Sequence, residues 1–316
     1  MIVVLTPGFL TTVQDEGRRG YRAFGMPWAG AMDRYALAAA NLLAGNPPGA
    51  AALEMTLSGG SFRFEEAAYV ALCGADMGAA LDGAPAGNRV AFPVAPGATL
   101  SLGSAARGCR ACLAVRGGID VPKVLGSRST YTRAGVGGLG GRALVAGDLL
   151  RIGATPLAGR RTESRSLPSR FILPCGGDAR LRVLPGPQED MFAPDGIATF
   201  FSSAYVVTDR NDRMGYRLEG PTVRHKAGAE IVTDGLTPGA VQVPGDGMPI
   251  VMTADCHTTG GYAKIGTVIG PDLRLLVQAG RGDEVCFVRC TDETAVAALR
   301  EEREVYAAME KILSGP

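Results

Sequence analysis

Short hydrophobic runs, each bounded by Gly, Pro, Asp or Asn, recur along most of the chain. They are rich in β-branched and apolar residues, and their spacing is typical of strands in sandwiches or barrels rather than of alternating strand–helix units. The run Met1–Leu5 predicts a first strand that ends in the turn Thr6-Pro7-Gly8. The later predicted strands are Tyr69–Cys73, Thr99–Leu102, Ala111–Val115, Leu181–Leu184, Pro249–Met252, Leu273–Val277 and Glu284–Val288.

Two segments carry apolar residues at helical spacing instead. The first, Met32–Leu43, is followed by Gly45-Asn46-Pro47, a combination that ends helices. The second runs from Asp292 to Leu313, and its charged middle is typical of a solvated helix face. The pattern therefore predicts a mainly β chain with a few peripheral helices.

A linker and a repeated motif indicate two domains. Residues 154–169 are rich in Pro, Ser, Thr and Arg, which is typical of a linker and predicts domains at residues 1–160 and 170–316. Arg18–Gly25 and Arg213–Gly220 share the pattern R-x-G-Y-R-x-x-G. We interpret the repeat as one turn in two copies of a β domain, with each first arginine either bracing that turn or contacting a ligand.

Composition excludes several classes of partner. The net charge of +1 gives no basic surface for nucleic acid or an anionic membrane, and no apolar run approaches the length of a membrane span. The seven cysteines are an odd number within apolar stretches, so we expect reduced, mostly buried thiols in a cytoplasmic protein. The Cys109-x-x-Cys112 pair lacks a second pair at ligand spacing, so we expect no metal site.

Several catalytic and carrier motifs are absent from the sequence. It contains no Walker A pattern, no G-x-S-x-G and no Met-Lys dipeptide of a biotin carrier. Gly135–Gly140 does match G-x-G-x-x-G. It leads to the strand-like Ala143–Val145 rather than to a helix, which favours a flexible turn over a dinucleotide site.

The densest polar run, Asp255–Lys264, follows the predicted strand Pro249–Met252. Hydroxyls followed by glycines can direct O–H and backbone N–H groups toward an anion, and a lysine can neutralise it. A hairpin that turns at Gly-Gly and faces water remains the alternative. The predicted catalytic residues are Asp255, as a general base or a partner of His257, together with His257 and Lys264; the predicted binding residues in this run are Thr258, Thr259, Gly260, Gly261 and Tyr262.

Three residues outside this run complete the predicted substrate site. Gln242, at a strand end, can hydrogen-bond an amide-like substrate, while Arg213 and Arg128 can contact its charged groups. Thr233-Asp234-Gly235 is first of all a turn sequence.

Nearly the whole chain resembles the family of the C subunit of 5-oxoprolinase, also described as allophanate hydrolase subunit 2, KipA-like or biotin-dependent carboxyltransferase proteins. In the first half the resemblance rests on Pro7–Arg18, Gly30–Asp33, Ala40–Asn46, Ala52–Glu54, Gly74–Asp76, Gly117–Pro122 and Leu125–Tyr131. In the second half it rests on Pro185–Gln188, Asp212–Leu218, Gln242–Gly247 and Thr258–Ile265. His257 departs from the Gln that this family usually has before Thr-Thr.

The resemblance implies two cyclophilin-like β-barrel domains in tandem. It also implies the C component of an ATP-dependent 5-oxoprolinase, which converts 5-oxo-L-proline to L-glutamate with ATP and Mg²⁺. In that complex the two other components are a KipI-like protein (the B component) and a larger protein (the A component). Two alternatives stay open: a biotin-dependent carboxyltransferase whose biotin is on a separate carrier, or a KipA-like regulator that binds a KipI-like partner.

Overall fold

The computed structural model describes residues 1–154 and 163–313, and this part of the chain is mainly β with four α-helices. The predicted fold class is confirmed. The described residues form two compact units. The first comprises residues 1–18, 29–154, 163–175 and 305–313, and the second comprises residues 19–28 and 176–304. None of the described helices is long and apolar enough to cross a membrane.

The first unit contains two mostly antiparallel sheets. The strands are β1 (Ile2–Thr6), β2 (Leu10–Gln14), β3 (Ala52–Thr56), β4 (Ser61–Phe64), β5 (Ala68–Asp76), β6 (Ala80–Leu81), β7 (Ala84–Pro85), β8 (Val90–Val94), β9 (Thr99–Ser101), β10 (Arg107–Val115), β11 (Ile119–Asp120), β12 (Leu149–Ile152) and β13 (Arg165–Ser166). Their order is β11-β12-β1-β4-β9-β6-β7 in one sheet and β13-β8-β5-β10-β3-β2 in the other.

The two sheets of the first unit contribute to one apolar core. Phe62 and Phe64 of the seven-stranded sheet and Leu53, Leu72 and Leu113 of the six-stranded sheet are all buried in the same cluster. Alternate residues of β4 are buried, as expected for a strand with one face against a core. Burial of these side chains is the main stabilising term of this unit.

The first predicted helix forms as α1 (Arg34–Ala44). The Asp33 carboxylate accepts a hydrogen bond from the Ala36 N–H at its start, and Gly45 ends it with φ of 82°, a conformation that favours glycine. Its buried face packs on β5 and β10. Met309 and Leu313 of α4 (Asp292–Leu313) belong to this same buried cluster.

The second unit is built on a closed seven-stranded barrel with the order β14-β21-β18-β19-β16-β15-β22, beside a two-stranded ribbon, β17–β20. The strands are β14 (Ala179–Pro185), β15 (Ala204–Val207), β16 (Gly215–Glu219), β17 (Glu230–Gly235), β18 (Ala240–Gln242), β19 (Ile250–Met252), β20 (Thr259–Tyr262), β21 (Lys264–Val268) and β22 (Glu284–Arg289). Phe200 of α2 (Pro194–Ser202) stacks on Phe287, with 4.3 Å between ring centroids, and both are buried.

One predicted strand was wrong. Leu273–Val277 is not a strand but lies in the short helix α3 (Leu273–Gln278). A short apolar run is compatible with a buried strand and with a buried helix, so the flanking residues determine which of the two forms. The preceding Gly270–Asp272 forms a 3₁₀ turn that starts the helix, and the Asp272 carboxylate is held by Arg182, with 2.6 Å between Oδ1 and Nη2.

Each of the two compact units includes a short segment from the other half of the chain. Of the predicted linker, residues 155–162 lie outside the described residues, whereas Arg165–Ser166 pairs with β8 as strand β13. Residues 19–28 belong to the second unit and residues 305–313 to the first. The assignment of residues 1–160 and 170–316 to two cyclophilin-like domains stays a prediction.

The two copies of the repeated motif do not form the same turn. The first copy continues into a 3₁₀ turn at Arg22–Phe24, whereas the second forms β16, where Gly215 and Tyr216 pair with β19. Both first arginines, Arg18 and Arg213, are buried. The shared sequence therefore marks a buried arginine in two different backbone settings.

Hydrogen bonds of Asp15 join the motif Pro7–Arg18 to the motif Leu125–Tyr131 in the first unit. Its carboxylate accepts hydrogen bonds from the hydroxyls of Ser127 and Ser129 and from the backbone N–H groups of Arg128 and Gly17. Burial acts to raise the pKa of Asp15, but these four donors outweigh it and lower the pKa below its ordinary value of 3.8. The ionised carboxylate therefore stabilises the folded unit.

We expect Asp15→Asn to lower the free energy of unfolding at pH 7 by about 3 kcal/mol, because the amide cannot accept all four hydrogen bonds. Since the folded pKa is depressed, the contribution of Asp15 is fully present above the unfolded pKa and is lost as pH falls through the folded pKa. Urea unfolding at pH 7 and near pH 3 measures both effects. Equal destabilisation at the two pH values would contradict this account.

Candidate active site

The predicted polar run connects the barrel to the ribbon. It begins after β19, continues through β20 of the ribbon and ends on β21 of the barrel. Gln242 and Lys264 are direct partners in the pairing of β18 with β21, and directly opposite residues of an antiparallel pair share a face. Asp234 of β17 pairs with Gly260 of β20. The strand pairing therefore brings amide, ammonium and carboxylate side chains to one place.

Lys264 and Asp234 form an ion pair, with 2.7 Å between Nζ and Oδ2. The Lys264 side chain is only 6% exposed, whereas that of Asp234 is 53% exposed. The hydrogen bond from Lys264 lowers the pKa of Asp234, and the Gly235 N–H adds to this effect. The pair therefore consists of a buried cation that faces a solvent-accessible anion.

Two glutamines border this ion pair. Gln188 accepts a hydrogen bond from the Lys264 backbone N–H at 3.3 Å, and its Nε2 lies 3.5 Å from Asp234 Oδ2. Gln242 is buried and its Nε2 lies 3.4 Å from the Tyr262 carbonyl. A Cβ on Gly260 would lie 2.6 Å from Gln242 Nε2, so any larger residue there would displace the Gln242 amide.

Asp255 and Arg213 form a second, more deeply buried ion pair. Arg213 Nε and Nη2 donate to Asp255 Oδ2 and Oδ1 at 2.9 and 3.0 Å, a bidentate geometry. The Arg213 carbonyl also accepts hydrogen bonds from the Asp255 N–H and the Thr253 hydroxyl, both at 2.8 Å. This pair holds the turn after β19, and a catalytic role of Asp255 stays a prediction.

The remaining predicted residues of the run are more accessible. His257, Thr259 and Tyr262 are exposed, while Thr258, Gly260 and Gly261 are half-buried. The Thr258 carbonyl accepts a hydrogen bond from the Leu236 N–H at 2.9 Å, which continues the pairing of β17 with β20 beyond Gly235 and Thr259. The run is therefore a ribbon strand with accessible side chains, which begins and ends at buried ion pairs.

Arg128 is the predicted site residue that belongs to the first unit. Its Nε donates to the Val121 carbonyl at 2.8 Å, its Nη2 to Asp120 Oδ1 at 3.0 Å, and its backbone N–H to Asp15 at 2.6 Å. These contacts brace the loop that carries Ser127 and Ser129. A substrate contact of Arg128 stays a prediction.

Sequence reasoning missed three residues of the site. Asp234 is in a turn-like triplet that forms the end of β17, and Gln188 stands in the Pro-Gly-Pro-Gln motif without an assigned role. Arg22, from the distant first copy of the repeated motif, donates through Nη2 to the carbonyls of Leu236 and, at 3.4 Å, His257. The motif around Gln188 and the repeated motif that contains Arg22 offered a signal in the sequence, whereas Asp234 was noted only in a turn sequence.

No three His, Cys, Asp or Glu side chains within residues 1–154 and 163–313 are grouped so as to hold a metal ion. Five of the seven cysteines are buried, as expected. Burial raises the pKa of Cys256, and the neighbouring Arg22 acts in the opposite direction.

We expect Arg22→Ala to loosen the loop at residues 256–258, because two backbone carbonyls lose their charged donor. The Leu236 amide, which donates to Thr258, should exchange its hydrogen about 10-fold faster, equivalent to about 1.4 kcal/mol. Arg19→Ala is the matched control: the guanidinium groups of Arg22 and Arg19 both lie over the Trp28 ring, 5.6 and 6.0 Å from its centroid, but Arg19 is exposed. Equal exchange rates in the two variants, measured by mass spectrometry, would refute this role.

Comparison with known proteins places the chain in a family. Residues 24–289 match the family model described as carboxyltransferase domain, subdomain A and B. The chain is 39% identical to the C subunit of 5-oxoprolinase from Escherichia coli (strain K12), over 97% of this chain and 96% of that protein. It is 34% identical to the C subunit of 5-oxoprolinase from Haemophilus influenzae, again over 97% of this chain and 96% of that protein.

Solved structures extend the same relationship. The K. lactis urea amidolyase superposes with a TM-score of 0.91 at 31% identity, covering 98% of this chain and 20% of that chain. This chain thus corresponds to about a fifth of that enzyme. Two independent comparisons, of sequence and of fold, agree with the motifs. The chain therefore belongs to the carboxyltransferase-domain family that includes the C subunit of 5-oxoprolinase.

Proposed function

We propose that this chain is the C component of an ATP-dependent 5-oxoprolinase, acting with a KipI-like B component and a larger A component. The observation that carries the proposal is the buried ammonium of Lys264, which lies opposite Gln242 in the pairing of β18 with β21. The chain is also 39% identical, over almost its full length, to a protein named as the C subunit of 5-oxoprolinase. A cation next to an amide hydrogen-bonding group matches a substrate that has both a carboxylate and a lactam.

The chemistry explains why such a site is needed. A lactam is a poor electrophile, because the nitrogen lone pair is delocalised into the carbonyl. Transfer of the γ-phosphoryl group of ATP to the carbonyl oxygen releases ADP and breaks this delocalisation. Water then adds to the carbon and the C–N bond opens to an acyl phosphate, from which a second water releases phosphate and L-glutamate. ATP with Mg²⁺ acts in the assembled complex.

The residues of this chain bind and orient the substrate in this scheme. Lys264 neutralises the carboxylate, and Gln242 hydrogen-bonds the lactam. The hydroxyls and backbone N–H groups of Thr258–Gly261 supply donors toward developing negative charge. Asp255 and Arg213 keep the start of that loop in place.

We expect Lys264→Met to reduce 5-oxoproline-dependent ATP hydrolysis of the reconstituted complex by at least about 100-fold. The variant should still fold, because Asp234, which loses its ion-pair partner, is already accessible to water. Lys226→Met, at an exposed lysine of the same unit, is the matched control and should keep full activity. Turnover that survives Lys264→Met would remove Lys264 from the site, and a wild-type complex without 5-oxoproline-dependent hydrolysis would overturn the proposed function.

A second candidate function is carboxyl transfer to an amide-type nitrogen. It is favoured by the K. lactis urea carboxylase structure, which matches 98% of this chain and 29% of that chain with a TM-score of 0.91 at 31% identity. No Met-Lys dipeptide occurs in this sequence, so the biotin would come from a separate carrier. Dependence of activity on bicarbonate and a biotinylated partner would select this function.

A regulator is the remaining alternative. Stable copurification with a KipI-like partner, in a complex that shows no turnover, would favour it.

A further inference from the structure

We infer that Asp234 is an internal competitor of the substrate: in the free chain its carboxylate occupies the place on Lys264 that a substrate carboxylate takes on binding. The inference deepens the proposed function, on which it rests for the identity of the substrate. It makes Asp234 a residue that sets the affinity of the site for ligands that carry a carboxylate.

The burial of Lys264 favours an anion beside its ammonium group. An ammonium group withdrawn from water is strongly destabilising unless a counter-ion faces it. With its side chain 6% exposed, Lys264 has this counter-ion in Asp234, 2.7 Å from Nζ. A ligand that reaches Nζ must therefore either replace Asp234 or share the ammonium with it.

The position of Asp234 is that of a bound carboxylate. Three donors surround it: Lys264 Nζ and Gln188 Nε2 at Oδ2, and the Gly235 N–H at 2.7 Å from Oδ1. An ammonium, a side-chain amide and a backbone N–H are the groups that bind carboxylate ligands in proteins. The chain thus places one of its own carboxylates among them.

Asp234 can leave this place at low cost. Its side chain is 53% exposed, and within β17 only Ile231 is even half-buried. The pairing of β17 with β20 is irregular between Glu230 and Asp234. Release of Asp234 therefore exposes little apolar surface, and its carboxylate gains hydration as the ion pair is lost.

Exchange of carboxylates affects charged and neutral ligands differently. A ligand with a carboxylate leaves Lys264 with one counter-ion before and after binding, so the exchange conserves the ion pair. A neutral lactam offers no such replacement and leaves Asp234 where it is. Asp234 therefore competes with ligands that carry a carboxylate and weakens their binding, and it affects neutral ligands less.

We expect Asp234→Asn to lower the KM for 5-oxoproline in the reconstituted complex about fivefold, the effect of removing a half-exposed ion-pair partner. Inhibition by neutral 2-pyrrolidinone, measured alongside, should change by less than that. Glu230→Gln, at the exposed other end of β17, removes the same charge from the same strand and should leave the KM unchanged. A KM that rises in Asp234→Asn, or that falls equally in Glu230→Gln, would overturn the inference.

A second measurement does not depend on turnover. The isolated full-length chain is acylated with acetic anhydride, and modification of Lys264 is followed by mass spectrometry with increasing concentrations of acetate. Acetate should protect Lys264 at about fivefold lower concentration in Asp234→Asn than in wild type, because the internal carboxylate no longer competes. Equal protection would refute the competition. A wild-type complex without lactam-dependent turnover, but with this difference in protection, would overturn the proposed function and leave the inference intact.

Discussion

A positive charge almost withdrawn from water has to face a negative one, and this constraint organises the second unit. Lys264 begins β21, a strand fixed in the closed barrel by its pairing with β14 and β18. The anion comes from the ribbon, whose strands pair with each other and are largely exposed. The barrel thus supplies a rigid cation and the ribbon an accessible anion. A site with this division can exchange its anion without disturbing its framework.

A second buried ion pair has a different task. Asp255 and Arg213 are both buried and joined by two parallel hydrogen bonds, so neither group is offered to solvent. Together with Arg22, which donates to the His257 carbonyl, they hold the loop between β19 and β20 in place. Asp234 and Asp255 therefore differ in role because their burial differs, although their chemistry is the same.

Local patterns were enough to predict much of the fold. The strands around residues 69–73, 111–115 and 284–288 and the helix at 292–313 occur where periodicity and flanking turn residues predict them. Leu273–Val277 was misassigned, since five residues in a nearly apolar run carry no clear period and only the preceding Gly-Pro-Asp turn decides for a helix. The mainly β class is thus accessible to the sequence, but the pairing of strands into two sheets and a barrel is not.

The candidate site likewise contains residues that the sequence predicts and residues that it does not. Lys264 and Gln242 were predicted from residue type, and strand register then places them opposite each other. Asp234 and Arg22 escaped prediction because their partners are distant in the sequence: Asp234 is 30 residues from Lys264 and Arg22 is 235 residues from His257. Short motifs indicate local backbone geometry, whereas the tertiary structure determines which counter-ion faces a charged side chain.

Each unit includes a segment that is distant in sequence from the rest of that unit, and this limits how the molecule can be divided into fragments. A fragment made of residues 176–304 would lack Arg22 and Trp28, which belong to the second unit, and a fragment ending at residue 175 would lack Met309 and Leu313 of the first unit's buried cluster. Neither fragment would be a whole folding module. A single proteolytic cut near residue 175 therefore leaves two interdependent pieces, each of which carries a segment that belongs to the other unit.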